Sequence, residues 1–151
     1  MKKTILLALL LPLLTPGPVI AQEDGFHKIS SPHPVTTTVA KLKAVLSDKG
    51  MNIFATIDHR QGAIEAGLEL RPTTLVIFGN PKVGTKLMQC DPRAGLALPL
   101  KILIWEDEAG KVWLGYREPP ALAGIYGLEA CAEVLARMKN AMANFARAAT
   151  L

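Results

Sequence analysis

The chain has 151 residues, enough to bury one hydrophobic core, and its charge balance excludes one large class of partners. The formal charge of +4 includes two lysines within the first three residues, so the rest of the chain carries about +2 and has no basic cluster. A charge this small and scattered argues against nucleic acid as a partner.

Residues 1–21 have the three parts of a secretory signal peptide. Two lysines precede an apolar run from Ile5 to Leu14, and a segment interrupted by prolines then ends at Ala21. The apolar run is about half as long as a membrane span, and no cysteine follows it for lipid attachment. We therefore expect cleavage after Ala21, a periplasmic or secreted location, and a mature chain of residues 22–151 without a membrane span.

The first half of the mature chain alternates strands and helices. Apolar periodicity and turn residues predict a strand at 26–29, a helix capped by Thr36 or Thr37, a strand at 52–57, a short helix at 61–66, a strand at 73–78 and a helix at 81–89. The run at 73–78 is continuously apolar, as in strands buried on both faces. Asn80 and Pro81 suit the N-cap and first position of the helix that follows.

The second half predicts a hairpin and a long C-terminal helix. Strands at 100–105 and 111–116 flank an acidic turn that contains Gly110, and a short helix is expected at 121–126. The last helix, about 129–148, is amphipathic, with an apolar stripe of Leu128, Cys131, Val134, Leu135, Met138, Met142 and Phe145. We interpret the whole as one α+β domain, a mixed β-sheet with helices packed on it, in which the second and third strands pair in parallel through a short crossover.

Two segments that directly follow strands are the candidate functional sites. Asp58 and His59 place a carboxylate beside an imidazole, a pairing suited to a general base, although an exposed histidine after a helix cap explains it more simply. The segment Gly79–Lys86 is close to a phosphate-binding loop, but Thr85 precedes Lys86 where the loop requires the reverse order, which argues against nucleotide hydrolysis. The N-terminus of the following helix, with Lys82 and Lys86 nearby, could still hold a small anion, although a capped helix with two solvated lysines explains the segment more simply.

The cysteines and one methionine leave two questions open. Cys90 and Cys131 could form a disulfide in an oxidising compartment, or they could be two separate buried thiols. A periplasmic metal or redox accessory role would use His59, Met88 and Cys90, because soft ligands suit Cu(I). Their spacing repeats no known ligand pattern, so we predict no bound metal and no cofactor.

Several segments together resemble the domain of unknown function 302 family. They are Ile57–His59, Gly67–Thr73, Phe78–Gln89, Leu98–Lys101, Trp105–Asp107 and the return from Gly110 to Tyr116. The resemblance covers residues 35–128, the core of the domain, and leaves the last helix as an extension. It implies a small α+β domain that forms homodimers and has no established activity.

The leading hypothesis is a non-enzymatic module that binds a small ligand or an exported protein partner. Since both candidate segments follow strands that we expect to be parallel neighbours, they should share one cleft at one edge of the sheet. The predicted ligand-binding residues are Asp58, His59, Gly79, Asn80, Lys82, Gly84 and Thr85. A small hydrolase that uses His59 as base and Asp58 as its orienting group is the alternative.

Overall fold

A computed structural model describes residues 25–151, so the predicted signal peptide lies outside the described residues. The strands are β1 (Phe26–Ser31), β2 (Asn52–Asp58), β3 (Thr73–Gly79), β4 (Leu100–Glu106) and β5 (Val112–Arg117). The α-helices are α1 (Val35–Asp48), α2 (His59–Glu65), α3 (Pro81–Cys90) and α4 (Ala132–Thr150). Short 3₁₀ helices cover Pro92–Leu96, Pro119–Gly124 and Glu129–Cys131.

Within residues 25–151 the strands form one five-stranded sheet in the order β1-β5-β4-β3-β2. One face of the sheet packs against α1 and α4, and alternate residues along β3 therefore point into the core. Val76 and Phe78 are fully buried there, together with Met142 and Ala149 of α4. The predicted α+β class, with helices on one sheet and a C-terminal amphipathic helix, is confirmed.

The predicted parallel pairing of the second and third strands is wrong. β2 and β3 are antiparallel, with Asn52 opposite Gly79 and Asp58 opposite Thr74, and every other pair in the described sheet is antiparallel as well. The physical reason is that α2 has only seven residues and buries none of them, so it does not pack on the sheet as the helix of a parallel crossover does. The chain therefore re-enters the sheet at the end where it left, as an antiparallel connection requires.

The start of α1 also differs from the prediction. The helix begins at Val35, directly after Pro34, and neither Thr36 nor Thr37 caps it, since both are exposed within its first turn. The buried threonine of this turn is Thr38, whose hydroxyl lies 2.7 Å from that of Ser31 at the end of β1. Proline fixes the backbone before the helix, and a side-chain contact to the preceding strand replaces the expected cap.

A second hydrophobic cluster lies where α3, the 3₁₀ segments and the start of α4 meet. Its fully buried members include Leu87 and Leu128, and Met138 is 6% exposed. A disulfide joins Cys90, the last residue of α3, to Cys131, which directly precedes α4. The covalent bond fixes the C-terminal end of α3 next to the N-terminal end of α4, and this geometry shapes the site described below.

Asp91 fastens the same region from the side. Its carboxylate accepts hydrogen bonds from the backbone and side chain of Arg93 and from the backbone N–H of Gly127. The side-chain hydrogen bond from Arg93 is the main cause that lowers the pKa of Asp91 well below its usual range. The group is therefore ionised at neutral pH, and it holds the chain after α3 to the segment before α4.

Candidate functional site

An apolar cleft of about 470 Å³ lies between α3, α4 and one end of the sheet. At this end β2 begins, β3 ends and β4 begins, as the pairing of Asn52 with Gly79 and of Phe78 with Leu100 requires. Leu98 and Pro99, which precede β4, also line the cleft. The volume of the cleft lies within the range of pockets that hold small molecules.

Four of the seven predicted ligand-binding residues line this cleft. They are Gly79, Asn80, Gly84 and Thr85, at the end of β3 and the start of α3. Lys82 is exposed and is not part of the lining. The segment that the sequence singled out after β3 thus borders a concave surface, through its small and uncharged residues.

Asp58 and His59 lie at the opposite end of the sheet, so the predicted shared cleft is wrong. Asp58 is paired with Thr74, which is six residues before Asn80 along β3. At about 3.3 Å per residue, roughly 20 Å separates the two segments. The antiparallel pairing of β2 and β3 causes this separation, because two antiparallel neighbours finish at opposite ends of the sheet.

Asp58 acts as a helix cap. Its carboxylate accepts a hydrogen bond from the backbone N–H of Gln61 at 3.1 Å, and His59, the first residue of α2, is exposed. A second concavity of about 730 Å³ lies beyond it, and neither Asp58 nor His59 lines it. Four charged residues and four apolar ones form its lining: Arg60, Glu69, Arg71 and Glu106, with Ile64, Leu68, Leu70 and Pro72. The simpler interpretation of this pair, a cap beside a solvated imidazole, fits the geometry.

Asn80 caps α3 in the same manner, and the cap uses the donors that an anion would need. The side chain of Asn80 accepts from the N–H of Lys82, while its carbonyl accepts from the N–H groups of Val83 and Gly84. Pro81 at the first helical position has no N–H to offer. The N-terminus of α3 is therefore internally satisfied and provides shape to the cleft rather than an anion site.

No cleft residue on α4 was predicted from the sequence, although this helix forms one wall of the cleft. Arg137, Met138, Ala141 and Phe145 line it, although the apolar stripe indicated only that this face of α4 is buried. A small residue, Ala141, within a stripe of large ones is the signal that a groove could lie there. The remaining wall includes Met51, which directly precedes β2, and Phe54 within β2, which is 55% exposed.

A metal centre finds no support in this part of the chain. Among residues 25–151, no group of three or more His, Cys, Asp or Glu side chains lies close enough together to hold a metal ion. The sulfur of Cys90 is bonded to Cys131, so it is not available as a thiolate ligand beside Met88. The predicted accessory role that uses these residues therefore loses one of its three ligands.

Five antiparallel strands with helices on one face, and an apolar cleft beside α4, define a small single-domain α+β protein within the described residues. The chain belongs to the family described as Domain of unknown function DUF302, whose model matches residues 27–145. A crystal structure of a DUF302 protein from Bacillus stearothermophilus has the same fold, with a TM-score of 0.76 and 18% identity, over 83% of this chain and 98% of that one.

Sequence relatives differ in length from this chain. Proteins from Brucella suis and Brucella abortus, both named fluoride-specific ion channel FluC 1, are 45% identical over 112 residues, which is 74% of this chain. The chain spans 44% and 42% of those relatives, less than half their length. An uncharacterized protein from Aquifex aeolicus is 33% identical over 122 residues, 80% of this chain and 76% of that protein. Within residues 25–151, no helix is both long and apolar enough to cross a bilayer.

Proposed function

We propose that this domain is a non-enzymatic binding module that takes up a small apolar molecule in the cleft between α3 and α4. The observation that carries the proposal is the lining of the cleft. The cleft has a volume of about 470 Å³, and its walls consist almost entirely of apolar side chains and glycines. Enclosed apolar surface of this size releases ordered water when a ligand covers it, which is the main driving force for small-molecule binding.

The chemistry of the lining favours binding over catalysis. Of the described residues that line the cleft, Arg137 is the only one with an ionisable side chain. Asn80 and Thr85 add an amide and a hydroxyl, and neither has a histidine or carboxylate beside it within the lining. A hydrolytic mechanism needs a general base within hydrogen-bond reach of its nucleophile, so the proposed hydrolase alternative gains no support here.

Three methionines in the wall suit a ligand of variable shape. Met51 lines the cleft from just before β2, Met88 from α3 and Met138 from α4, and Met88 is 39% exposed. Methionine has three rotatable bonds and a polarisable sulfur, so its side chain adapts to different apolar partners at little cost. We expect the module to accept a class of molecules rather than one compound.

Titration with Nile red, a neutral apolar dye, tests the proposal. We expect saturable fluorescence enhancement with the natural chain, because the dye can enter the cleft without a charged partner. Ala141→Trp fills the groove from α4 and should weaken dye binding by at least about tenfold, equivalent to about 1.4 kcal/mol. Ala136→Trp is the matched control, since Ala136 lies exposed on the same helix away from the cleft.

The two outcomes differ plainly. Circular dichroism must first show that both tryptophan variants are folded. If the natural chain shows no saturable binding, or if Ala141→Trp binds the dye as tightly as Ala136→Trp does, the cleft is not a binding site and the proposed function is wrong.

We extend the proposal to the compartment and the assembly. The signal-peptide pattern of residues 1–21 supports export, and the intact mass of protein from the periplasm should correspond to a chain that begins at Gln22. Retention of residues 1–21 in a membrane fraction would contradict it. The homodimer implied by the family resemblance predicts a sedimentation mass of twice the mature chain, and a monomer at high concentration would contradict that part.

A second candidate rests on the Brucella relatives. Their printed name is that of a fluoride-specific ion channel, and 45% identity over 112 residues relates this domain to less than half of their length. We propose that the domain associates with a fluoride channel as a partner protein. Pull-down of the purified Brucella suis channel by this chain, with an unrelated membrane protein as control, tests the association; equal recovery of both proteins would refute it.

A further inference from the structure

The cleft-facing side of α4 changes in polarity along its length. Arg137, Ala141 and Phe145 follow one another at intervals of four residues, so they lie in one row on the helix surface. The row covers eight residues at about 1.5 Å each, a length of roughly 12 Å. A charged side chain stands at one end of the cleft and an aromatic one at the other.

The charged end is open to solvent. The Arg137 side chain is 74% exposed, and its Nη2 donates to Glu133 at 2.7 Å, one turn earlier on α4. Such surface ion pairs contribute little to stability and exchange readily with other partners. A guanidinium has five N–H donors, so Arg137 can bind an anionic group at the mouth of the cleft while it stays near Glu133.

The opposite end is apolar and aromatic. Phe145 is 7% exposed, and its ring meets that of Phe78 edge-on, with 6.0 Å between the ring centroids. Met51 and Phe54 line the cleft near the same end of the sheet. An alkyl chain placed along α4 would therefore pass from the guanidinium over Ala141 to a buried apolar surface.

We infer that the ligand is an amphiphile with an anionic head group, held at Arg137, and an alkyl tail that extends toward Phe145. This inference rests on the proposed binding function and adds the ligand's charge and orientation. The one ionisable group of the described lining is cationic and stands at one end, so charge complementarity selects an anion and fixes which end of the molecule enters last.

Displacement of Nile red by decanoate and by decanol tests the ligand class. The two compounds share an alkyl tail of comparable length and differ in the charge of the head group. We expect the natural chain to bind decanoate more tightly than decanol at low ionic strength. Arg137→Gln should weaken decanoate about fivefold, as expected for loss of an exposed charged hydrogen bond, and should weaken decanol by a clearly smaller factor.

Two further variants keep the test sharp. Arg147→Gln makes the same substitution at an exposed arginine of α4 that does not line the cleft, and it should change neither affinity. Glu133→Gln removes the competing carboxylate from Arg137, so decanoate should bind more tightly while decanol does not. Each prediction has a readout that general destabilisation would not produce.

The possible failures separate the inference from the function on which it rests. If the natural chain binds Nile red but shows no preference for decanoate, or if Arg137→Gln weakens both compounds equally, the amphiphile inference is wrong and the apolar cleft remains. If Nile red itself does not bind, the proposed function and this inference fail together.

Discussion

Two consecutive strands of this sheet end in the same local structure, yet only the end of β3 borders the apolar cleft. β2 ends at Asp58, which caps α2, and β3 is followed by Asn80, which caps α3. Each cap accepts a backbone N–H within the first turn of its helix. The local sequence logic is therefore the same at both positions.

The difference lies in what packs nearby. α2 buries none of its residues, whereas α3 buries Leu87 and is bonded through Cys90 to the segment that begins α4. A helix start becomes the wall of a site only when a second element stands opposite it, and α4 supplies that element for α3. Whether a strand–cap–helix segment borders a site therefore depends on which elements, distant in the sequence, pack against it.

The largest effect is expected from a charge in the apolar stripe of α4. Met138→Asp should destabilise the domain by about 5 kcal/mol, since apolar packing is lost and an unpaired carboxylate is buried. Met138 is 6% exposed, whereas Asn140 is exposed two residues later on the same helix. Asn140→Asp should therefore cost little in urea unfolding, and equal losses in both variants would show that α4 does not dock through Met138.

Removal of the disulfide tests the covalent part of the same arrangement. Cys90 and Cys131 are 41 residues apart, and closure of a loop of this length contributes roughly 4 kcal/mol in the chain-entropy model. The double variant Cys90→Ala, Cys131→Ala should lose a comparable free energy of unfolding. Dithiothreitol should destabilise the natural chain and leave the variant unaffected; two free thiols in denatured periplasmic protein would contradict the bond.

The two caps should differ in their effect on global stability. Asn80→Ala should cost about 1 kcal/mol, because α3 is packed against the second hydrophobic cluster and its first turn is part of the cooperative fold. Asp58→Ala should cost less than about 0.5 kcal/mol globally, because α2 can fray alone. Urea unfolding measures the first effect, and amide hydrogen exchange at Gln61 measures the local loss in the second.

Conservative changes check that interpretation. Asn80→Asp keeps an oxygen acceptor for the N–H of Lys82 and should retain most of the stability. Equal global losses for Asp58→Ala and Asn80→Ala would mean that α2 is part of the cooperative unit after all, and the contrast between the two helix starts would be wrong.

The smallest effect is expected at the histidine that first suggested chemistry. His59→Ala should change the free energy of unfolding by no more than about 0.5 kcal/mol, since His59 is exposed at the first position of α2. Nile red affinity should also be unchanged, because roughly 20 Å separates this residue from the cleft. A clear loss of Nile red binding in this variant would support the hypothesis that His59 belongs to the ligand-binding site.

Local patterns predicted most of the elements correctly. The stripe of α4, the apolar run of β3 and the Asn80–Pro81 start of α3 are all set by neighbours a few residues away. The same locality explains why the Asp58 cap could be anticipated. The Thr36 and Thr37 caps failed because a contact with Ser31 and the rigid Pro34 decided the start of α1 instead.

Strand direction and the far wall of the cleft depend on contacts across the chain. Whether the second and third strands pair in parallel follows from where α2 lies, and seven residues that bury no side chain gave no information on that position. Gly84 and Ala141 both line the cleft although they are 57 positions apart in the sequence. No periodicity within either helix predicts that the two helices face the same cleft. Spacing alone likewise left the pairing of Cys90 with Cys131 open.

The cross-strand pair of Trp105 and Trp113 has a practical consequence for spectroscopy. Their neighbours Ile104 and Leu114 point into the helical side of the sheet, so the two indoles stand on the opposite face. Both tryptophans of the chain lie here, and neither lines the cleft. Trp113 donates to Asp107 at 2.7 Å, so its emission is sensitive to protonation of that carboxylate and to whatever touches this surface. Tryptophan fluorescence therefore reports on the outer face of the sheet. A molecule that enters the cleft on the helical side should change the tryptophan emission very little.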